Sequence, residues 1–261
     1  MRKLLPLILA ILLLAGCQGG GAEASFPPPA SSQPEQPAPP PDGEISVRAV
    51  VEWLSDENHH QFKIDWADLW VTMELLPGQR DGEREIQVDI WSLEDLDEPM
   101  QTIRDYIEEN VFGWTQVADV NFDGHLDFGY MHYTGNQPNY WNFWLWDAGQ
   151  GRFVAEPGLS EISAPVFHGE TQTISGFARD GWAGLAGTST IHRWIDGQLT
   201  CVRRVVSAPT EINDEVFQFV VEDWVDGQLE EVLRQEVPVS NEGIIFELRE
   251  KWEDPLYTGE E

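Results

Sequence analysis

The sequence predicts a mainly β protein: an antiparallel β-sheet domain with one short helix, following a disordered N-terminal linker. Three observations predict it. Residues 85–91 alternate strictly, with Ile86, Val88 and Ile90 on one side and Glu85, Gln87 and Asp89 on the other; that is the period of a half-buried strand. The phrases Trp194-Ile195-Asp196-Gly197-Gln198-Leu199 and Trp224-Val225-Asp226-Gly227-Gln228-Leu229 nearly repeat each other 30 residues apart. Each sets an Asp-Gly pair between apolar runs, the signature of a type I′ hairpin. Runs rich in Val, Ile and Phe at 216–221 and 243–252 read as further strands. The pattern leaves open whether the sheet closes as a sandwich, a barrel or a propeller.

Taken in order, residues 1–16 read as a lipoprotein signal peptide. Arg2 and Lys3 give a positive start, and 4–14 is an apolar run too short to span a bilayer. Leu14-Ala15-Gly16-Cys17 resembles the bacterial lipobox. That resemblance implies cleavage before Cys17 and fatty acylation, palmitate included, of the new N-terminus. Two or three acyl chains give stable anchoring, so the chain is expected on the extracytoplasmic face of the cell membrane. Residues 17–43 then form a Pro- and Gly-rich spacer containing Pro27-Pro28-Pro29 and Pro39-Pro40-Pro41, too poor in apolar groups to fold. A single β-rich domain takes up 44–261.

Within that domain His59 and His60 fall in a polar stretch that reads as a loop. Asp97 and Pro99 start a helix whose apolar face is Met100, Ile103, Ile107 and Val111. Residues 140–146 are aromatic on both faces, as in a central strand covered on both sides, and 146–153 is a looser hairpin. The Trp residues 141, 144, 146 and 182 read first as packing. Residues 176–187 hold four Gly with Arg179, Asp180 and Trp182. They read as an exposed recognition loop, and those three side chains are the partner-binding candidates.

The most specific signal is 119–127. Asp119, Asn121, Asp123 and Asp127 set oxygen donors at positions 1, 3, 5 and 9 of a loop, with Gly124 at 6 and the backbone carbonyl of His125 at 7. This spacing turns hard oxygen ligands around one cation and predicts a calcium site. Position 12 is Tyr130, so the bidentate Glu of an EF-hand is missing. The flanks, 114–118 and 126–133, read as strands. Fewer charged ligands predict weak affinity, on the order of 10⁻⁴ to 10⁻³ M.

Composition sets the function classes. Acidic residues outnumber basic ones 46 to 15, for a net charge of −31. Such a polyanion repels nucleic acid and anionic lipid headgroups. Twelve Trp and twelve Phe exclude a wholly disordered chain. Two Cys exclude a disulfide framework, and with Cys17 lipidated, Cys201 reads as a small buried apolar residue. The six His show no metal-binding spacing, and neither a nucleophile elbow nor a phosphate loop occurs. No catalytic residue is nominated, and the chain is not expected to be an enzyme.

Residues 117–124 (Val-Ala-Asp-Val-Asn-Phe-Asp-Gly), Trp144-Leu145-Trp146-Asp147, Gly151-Arg152-Phe153-Val154 and Leu159-Ser160-Glu161-Ile162 together resemble a family of bacterial exported calcium-binding lipoproteins. Its typical members are immunity proteins of type IV secretion killing systems, similar to periplasmic lysozyme inhibitors. The resemblance runs over roughly 110–205. It implies a calcium-binding, all-β, non-enzymatic domain that blocks a peptidoglycan hydrolase; no inhibitory loop of the family can be matched to residues here. Expected partners are therefore the membrane, through lipid on Cys17, and a basic peptidoglycan hydrolase or a cell-wall glycan. The alternative function is a calcium-stabilised glycan-binding or scaffolding domain of the envelope.

Overall fold

The computed structural model of the chain describes residues 49–50, 58–64, 68–78, 82–135, 138–210 and 215–259. They belong to one compact unit, Asp42–Glu261. The predicted signal peptide, Cys17 and the whole of the linker segment 17–43 lie outside the described residues.

Three antiparallel sheets follow one another along the chain, and in each the neighbouring strands are also neighbours in sequence. The first is β1 (Ala49–Val50), β2 (His59–Ile64), β3 (Leu69–Leu75), β4 (Glu83–Ser92) and β5 (Gln101–Glu108). The second is β6 (Thr115–Ala118), β7 (Asp127–Thr134), β8 (Asn139–Asp147) and β9 (Arg152–Ala155). After a helical turn, α1 (Pro157–Ser160), comes the third: β10 (Val166–His168), β11 (Thr173–Gly181), β12 (Ala186–Ile195), β13 (Gln198–Pro209), β14 (Val216–Val225) and β15 (Gln228–Pro238). Helix α2 (Glu242–Glu253) closes the order. The mainly β expectation with one short helix holds, and the sheets do not close into a barrel.

The second sheet is the middle layer, because the alternation of its strands is apolar on both faces. Register pairs Phe128 with Trp144 and Gly129 with Phe143, so these pairs point to opposite sides. Phe128, Tyr130 and Phe153 pack with Val71, Val88, Ile90 and Ile103 of the first sheet. Phe143 packs the other way, with Val120, Leu159, Ile162 and Ile174. Gly129 has no side chain because the Phe143 ring lies over it; a Cβ there would sit 2.6 Å from that ring. The expectation of a doubly covered strand at 140–146 is met by β8. Polar groups join the layers too: the Gln101 side chain exchanges two hydrogen bonds with the Phe153 backbone, at 2.8 and 2.9 Å. The Tyr130 hydroxyl and the Asn142 amide both donate to Asp105, each at 2.7 Å.

Both hairpin phrases form as predicted. Asp196-Gly197 and Asp226-Gly227 have φ of 51° and 75°, and 49° and 94°. Two-residue turns with both φ positive are type I′, and the strands close at Ile195↔Gln198 and Val225↔Gln228.

Four local expectations are corrected. Residues 101–108 are strand β5, not part of a helix. Ile103 and Ile107 are four residues apart, an even number, so they share a face in a strand as well as in a helix; Met100 is exposed and Val111 sits in a 3₁₀ turn. Conversely, 243–252 is helix, not strand. Ile245, Leu248, Arg249 and Trp252 follow the i, i+3, i+4, i+7 stripe and face the third sheet. His59 and His60 open strand β2 instead of lying in a loop. Residues 176–187 are mostly strand: Gly176 and Gly187 lie inside β11 and β12, where a Cβ would strike Ile162 at 2.4 Å and Phe177 at 2.7 Å. Those two glycines serve packing, and only the short turn between the strands is exposed.

Candidate functional site

Strand β6 leads into the 119–127 loop and β7 leads out, and their last pair is Ala118↔Asp127. The expected strand flanks are therefore present. Phe122 and Gly124 take positive φ, 61° and 89°, which folds the loop back on itself.

Its side chains are tied to its own backbone. Asp119 accepts from the amides of Asp123 (3.0 Å) and Gly124 (2.9 Å). Asn121 Oδ1 accepts from the same Asp123 amide at 3.2 Å, and its Nδ2 donates to Asp123 Oδ2 at 2.9 Å. Asp123 Oδ1 accepts from the His125 amide at 2.8 Å and lies 3.0 Å from the His125 ring nitrogen Nδ1. Asp127 differs, being fully buried. Its two oxygens accept from the amides of Val120 (2.9 Å) and Trp146 (2.8 Å), joining the start of the loop to strand β8.

Burial pushes the Asp127 carboxyl up to about 7, against the opposing pull of the Trp146 and Val120 amides, and the charges of Asp123 and Asp119 push the same way. Burial also raises Asp119, opposed by the Gly124 and Asp123 amides and helped by the charge of Asp123. Three like charges thus share one small loop.

These residues suit a hard cation by chemistry and by charge. Among the described residues, however, no three His, Cys, Asp or Glu side chains converge on a metal position. The carboxylate oxygens are turned onto amides. Each oxygen has two lone pairs, so one amide bond leaves room for a cation. Asp119, Asn121, Asp123 and Asp127 are the side chains that would hold it, with the His125 carbonyl.

Arg179, Asp180 and Trp182 lie elsewhere. They sit at and just beyond the far end of β11, so they are roughly 20–30 Å from its start beside the loop. Their turn is strained: Gly181, Trp182, Ala183 and Gly184 all have positive φ, of 115°, 51°, 53° and 95°. Arg249 of α2 holds it by donating to the carbonyls of Gly184 (2.8 Å) and Leu185 (3.1 Å). Trp182 meets the Phe217 ring edge-on at 5.5 Å yet stays 45% exposed. Trp141, Trp144 and Trp146 pack against the core, as the packing reading expects. Cys201 is half-buried with its thiol pushed up by burial, the state of an inert thiol.

Two clefts were not apparent from local patterns. One, of about 630 Å³, is walled by Asn121 and Phe122 of the loop, Gln172, and Arg193 to Asp196. The other, of about 420 Å³, is lined by Arg193, Ile195, Trp224 and Tyr257 among others. The signal that could have found them is the repeated hairpin phrase, whose two copies supply Trp194 to the first and Trp224 to the second.

No protein-family model and no curated protein matches the chain. Among solved structures, it is similar to a Xanthomonas type IV secretion system related protein, at 15% sequence identity and a TM-score of 0.49, over 71% of this chain and 98% of that one.

Proposed function

We propose that the chain is a lipid-anchored, extracytoplasmic lipoprotein whose β domain holds calcium in the 119–127 loop and binds a basic macromolecular partner, a lysozyme-like peptidoglycan hydrolase, without being an enzyme itself. The observation that carries this reading is the charge of −31. Hydrolases that act on an anionic wall are commonly cationic, and opposite charge raises encounter rates and favours such partners. The lipobox-like residues around Cys17 and the family-like run at 117–124 support it. The tether would put the domain where such a hydrolase works. Calcium would offset the three carboxylates of the loop and stiffen the β6–β7 connection.

The test is clearing of cell walls by purified hydrolases of several classes, with and without the protein, together with calorimetry at low salt. Inhibition of one class and measurable heat of binding are expected. No inhibition at micromolar protein, with no heat, refutes the hydrolase reading. The anchor is tested separately: Cys17→Ser should abolish fatty-acid labelling and release the protein, and persistence in carbonate-washed membranes would refute it.

Exposed indole favours a second reading, a calcium-stabilised glycan-binding domain. Trp224 is 41% exposed, and a large rigid aromatic at the surface suits recognition.

A further inference from the structure

We infer that the two adjoining clefts form one groove that binds a linear oligosaccharide. The inference rests on the glycan reading and gives it a site.

The geometry comes from the hairpins. Strand β12 pairs with β11 only as far as His192↔Ile174, and it runs on to Ile195 paired with β13 alone. The end of the β12–β13 hairpin is therefore a free edge beyond β11. Arg193 and Ile195 on that edge line both clefts, so the clefts meet there and wrap around it. Each copy of the repeated phrase contributes its Trp, Trp194 to one cleft and Trp224 to the other. The indole of Trp194 is fixed by a 3.1 Å hydrogen bond to the Val120 carbonyl at the base of the 119–127 loop.

The chemistry comes from what the walls leave unused. Among the described residues, the side chains of Gln172, Arg193 and Asp196 take no part in the hydrogen bonds or ion pairs of the fold. Arg193 stands out, since acids exceed bases threefold, 46 to 15. By contrast Arg203, which also borders the second cleft, is saturated by Asp223 and three backbone carbonyls. An amide, a guanidinium and a carboxylate are all planar and two-pronged, which suits pairs of vicinal hydroxyls. Aromatic faces accept the C–H faces of pyranose rings. Together the clefts, of about 630 and 420 Å³, exceed what one sugar needs and suit a chain of them.

Phe122, Gln172 and Asp196 share a left-handed backbone, with φ of 61°, 50° and 51°. They come from three separate turns that converge on the first cleft. Backbone conformations of this kind, costly for a Phe or Gln, concentrate at binding sites. Nucleic acid, the other polymer that stacks on aromatics, is disfavoured by the charge of −31.

The test titrates the full chain in detergent with two neutral probes, the trisaccharide of N-acetylglucosamine and maltotriose, read by saturation-transfer NMR and by Trp fluorescence. Saturable binding of at least one is expected. Trp224→Ala and Arg193→Ala should each weaken it about tenfold or more with unchanged melting temperature, and Trp224→Phe should recover most of the loss. Trp182→Ala, at the other end of β11, should change nothing. Binding that survives both Trp224→Ala and Arg193→Ala overturns the groove while leaving the glycan reading standing. Failure of both trisaccharides to bind the unaltered protein overturns both.

Discussion

Asp127→Asn should change stability in opposite directions at low and high pH. In the folded protein the Asp127 carboxyl is held near 7, against 3.8 when unhindered. The folded state therefore binds a proton that the unfolded chain has already lost between those values, and stability falls as pH rises through that window. A window that wide sets a ceiling of about 4 kcal/mol on the loss at pH 8. Asparagine carries no charge and escapes that loss. It has one acceptor oxygen, however, where Asp127 serves two amides, those of Val120 and Trp146. Its NH₂ group would face one of them, leaving a buried amide unsatisfied at a cost of about 1–3 kcal/mol. In the absence of calcium, then, Asp127→Asn should be less stable than the unaltered protein at pH 4, and the gap should close or invert by pH 8. Denaturant unfolding from pH 4 to 8 in a chelator, followed by Trp fluorescence, measures it. Comparing the two proteins cancels His132 and His192, whose pKa values are lowered by burial and whose own effect is to lose stability as pH falls below 6.5. Calcium adds a sharper contrast. A cation beside Asp127 would reverse the penalty, so the stabilisation by calcium should grow with pH for the unaltered protein and little for Asp127→Asn. A gap between the two proteins that stays flat with pH would refute the account of Asp127 as a buried carboxylate under like-charge pressure.

Arg203→Ala should cost about 3–5 kcal/mol, because it strands Asp223 and frees the carbonyls of Trp252, Asp254 and Tyr257; thermal melting and faster proteolysis near residue 255 would show it. Gly113→Ala and Gly227→Ala form a matched pair: both have φ near +90°, but a Cβ at 113 would sit 1.6 Å from the His60 ring, and one at 227 meets nothing within 4 Å. The first should cost about 2–4 kcal/mol and the second about 1 kcal/mol, measured by denaturant unfolding. Asp123→Ala should remove any calcium-induced rise in melting temperature at millimolar calcium, and an undiminished rise would place the cation elsewhere. Raising salt from about 0.05 to about 0.5 M shortens the Debye length from roughly 14 to roughly 4 Å. Association with the basic partner should slow accordingly in stopped-flow measurements, with dissociation much less affected.

The two segments in which pattern and structure disagree are reverse cases. Ile103 and Ile107 satisfy the period of a helix and of a strand at once, and what decides the matter is β4, whose Val88 pairs directly with Ile103. Nothing within 97–111 carries that information. Residues 243–252 contain Ile, Ile and Phe in a row, which favours a strand by composition. Yet Ile244 and Phe246 are left exposed and Ile245, Leu248 and Trp252 are turned inward, so the spacing of the stripe decided and the composition did not. Where strict alternation occurs, as at Ile86, Val88 and Ile90, all three are fully buried as expected. The hairpins were legible because an Asp-Gly turn is settled by the φ of two residues, with no distant partner required.

The same distinction separates the two parts of the candidate site. The 119–127 loop could be read from sequence because its bonds are local: Asp119 reaches the amides four and five residues on, and Asp123 the amide two residues on. Even there one role was hidden. Asp127 counts as a ninth-position ligand in the pattern, but its Trp146 bond spans nineteen residues and makes it the joint between the loop and strand β8. The groove could not be read in this way. Gln172 lies in the β10–β11 turn, Arg193 and Trp224 lie near the ends of the strands that lead into the β12–β13 and β14–β15 turns, and only the meander order of β10 to β15 brings those turns into one groove. The repeated phrase nevertheless carried a part of it. In a meander, alternate turns fall at the same end of a sheet, so the near-identical phrases in the β12–β13 and β14–β15 turns must present their Trp residues at one end, separated by two strand spacings, about 10 Å. The β10–β11 turn falls at that end by the same rule, and the β11–β12 turn with Trp182 at the other. The separation of Gln172, Arg193 and Trp224 from Arg179, Asp180 and Trp182 is therefore a consequence of strand order. It would persist through any substitution that leaves the meander intact, which is why Trp182→Ala is a sound control for Trp224→Ala.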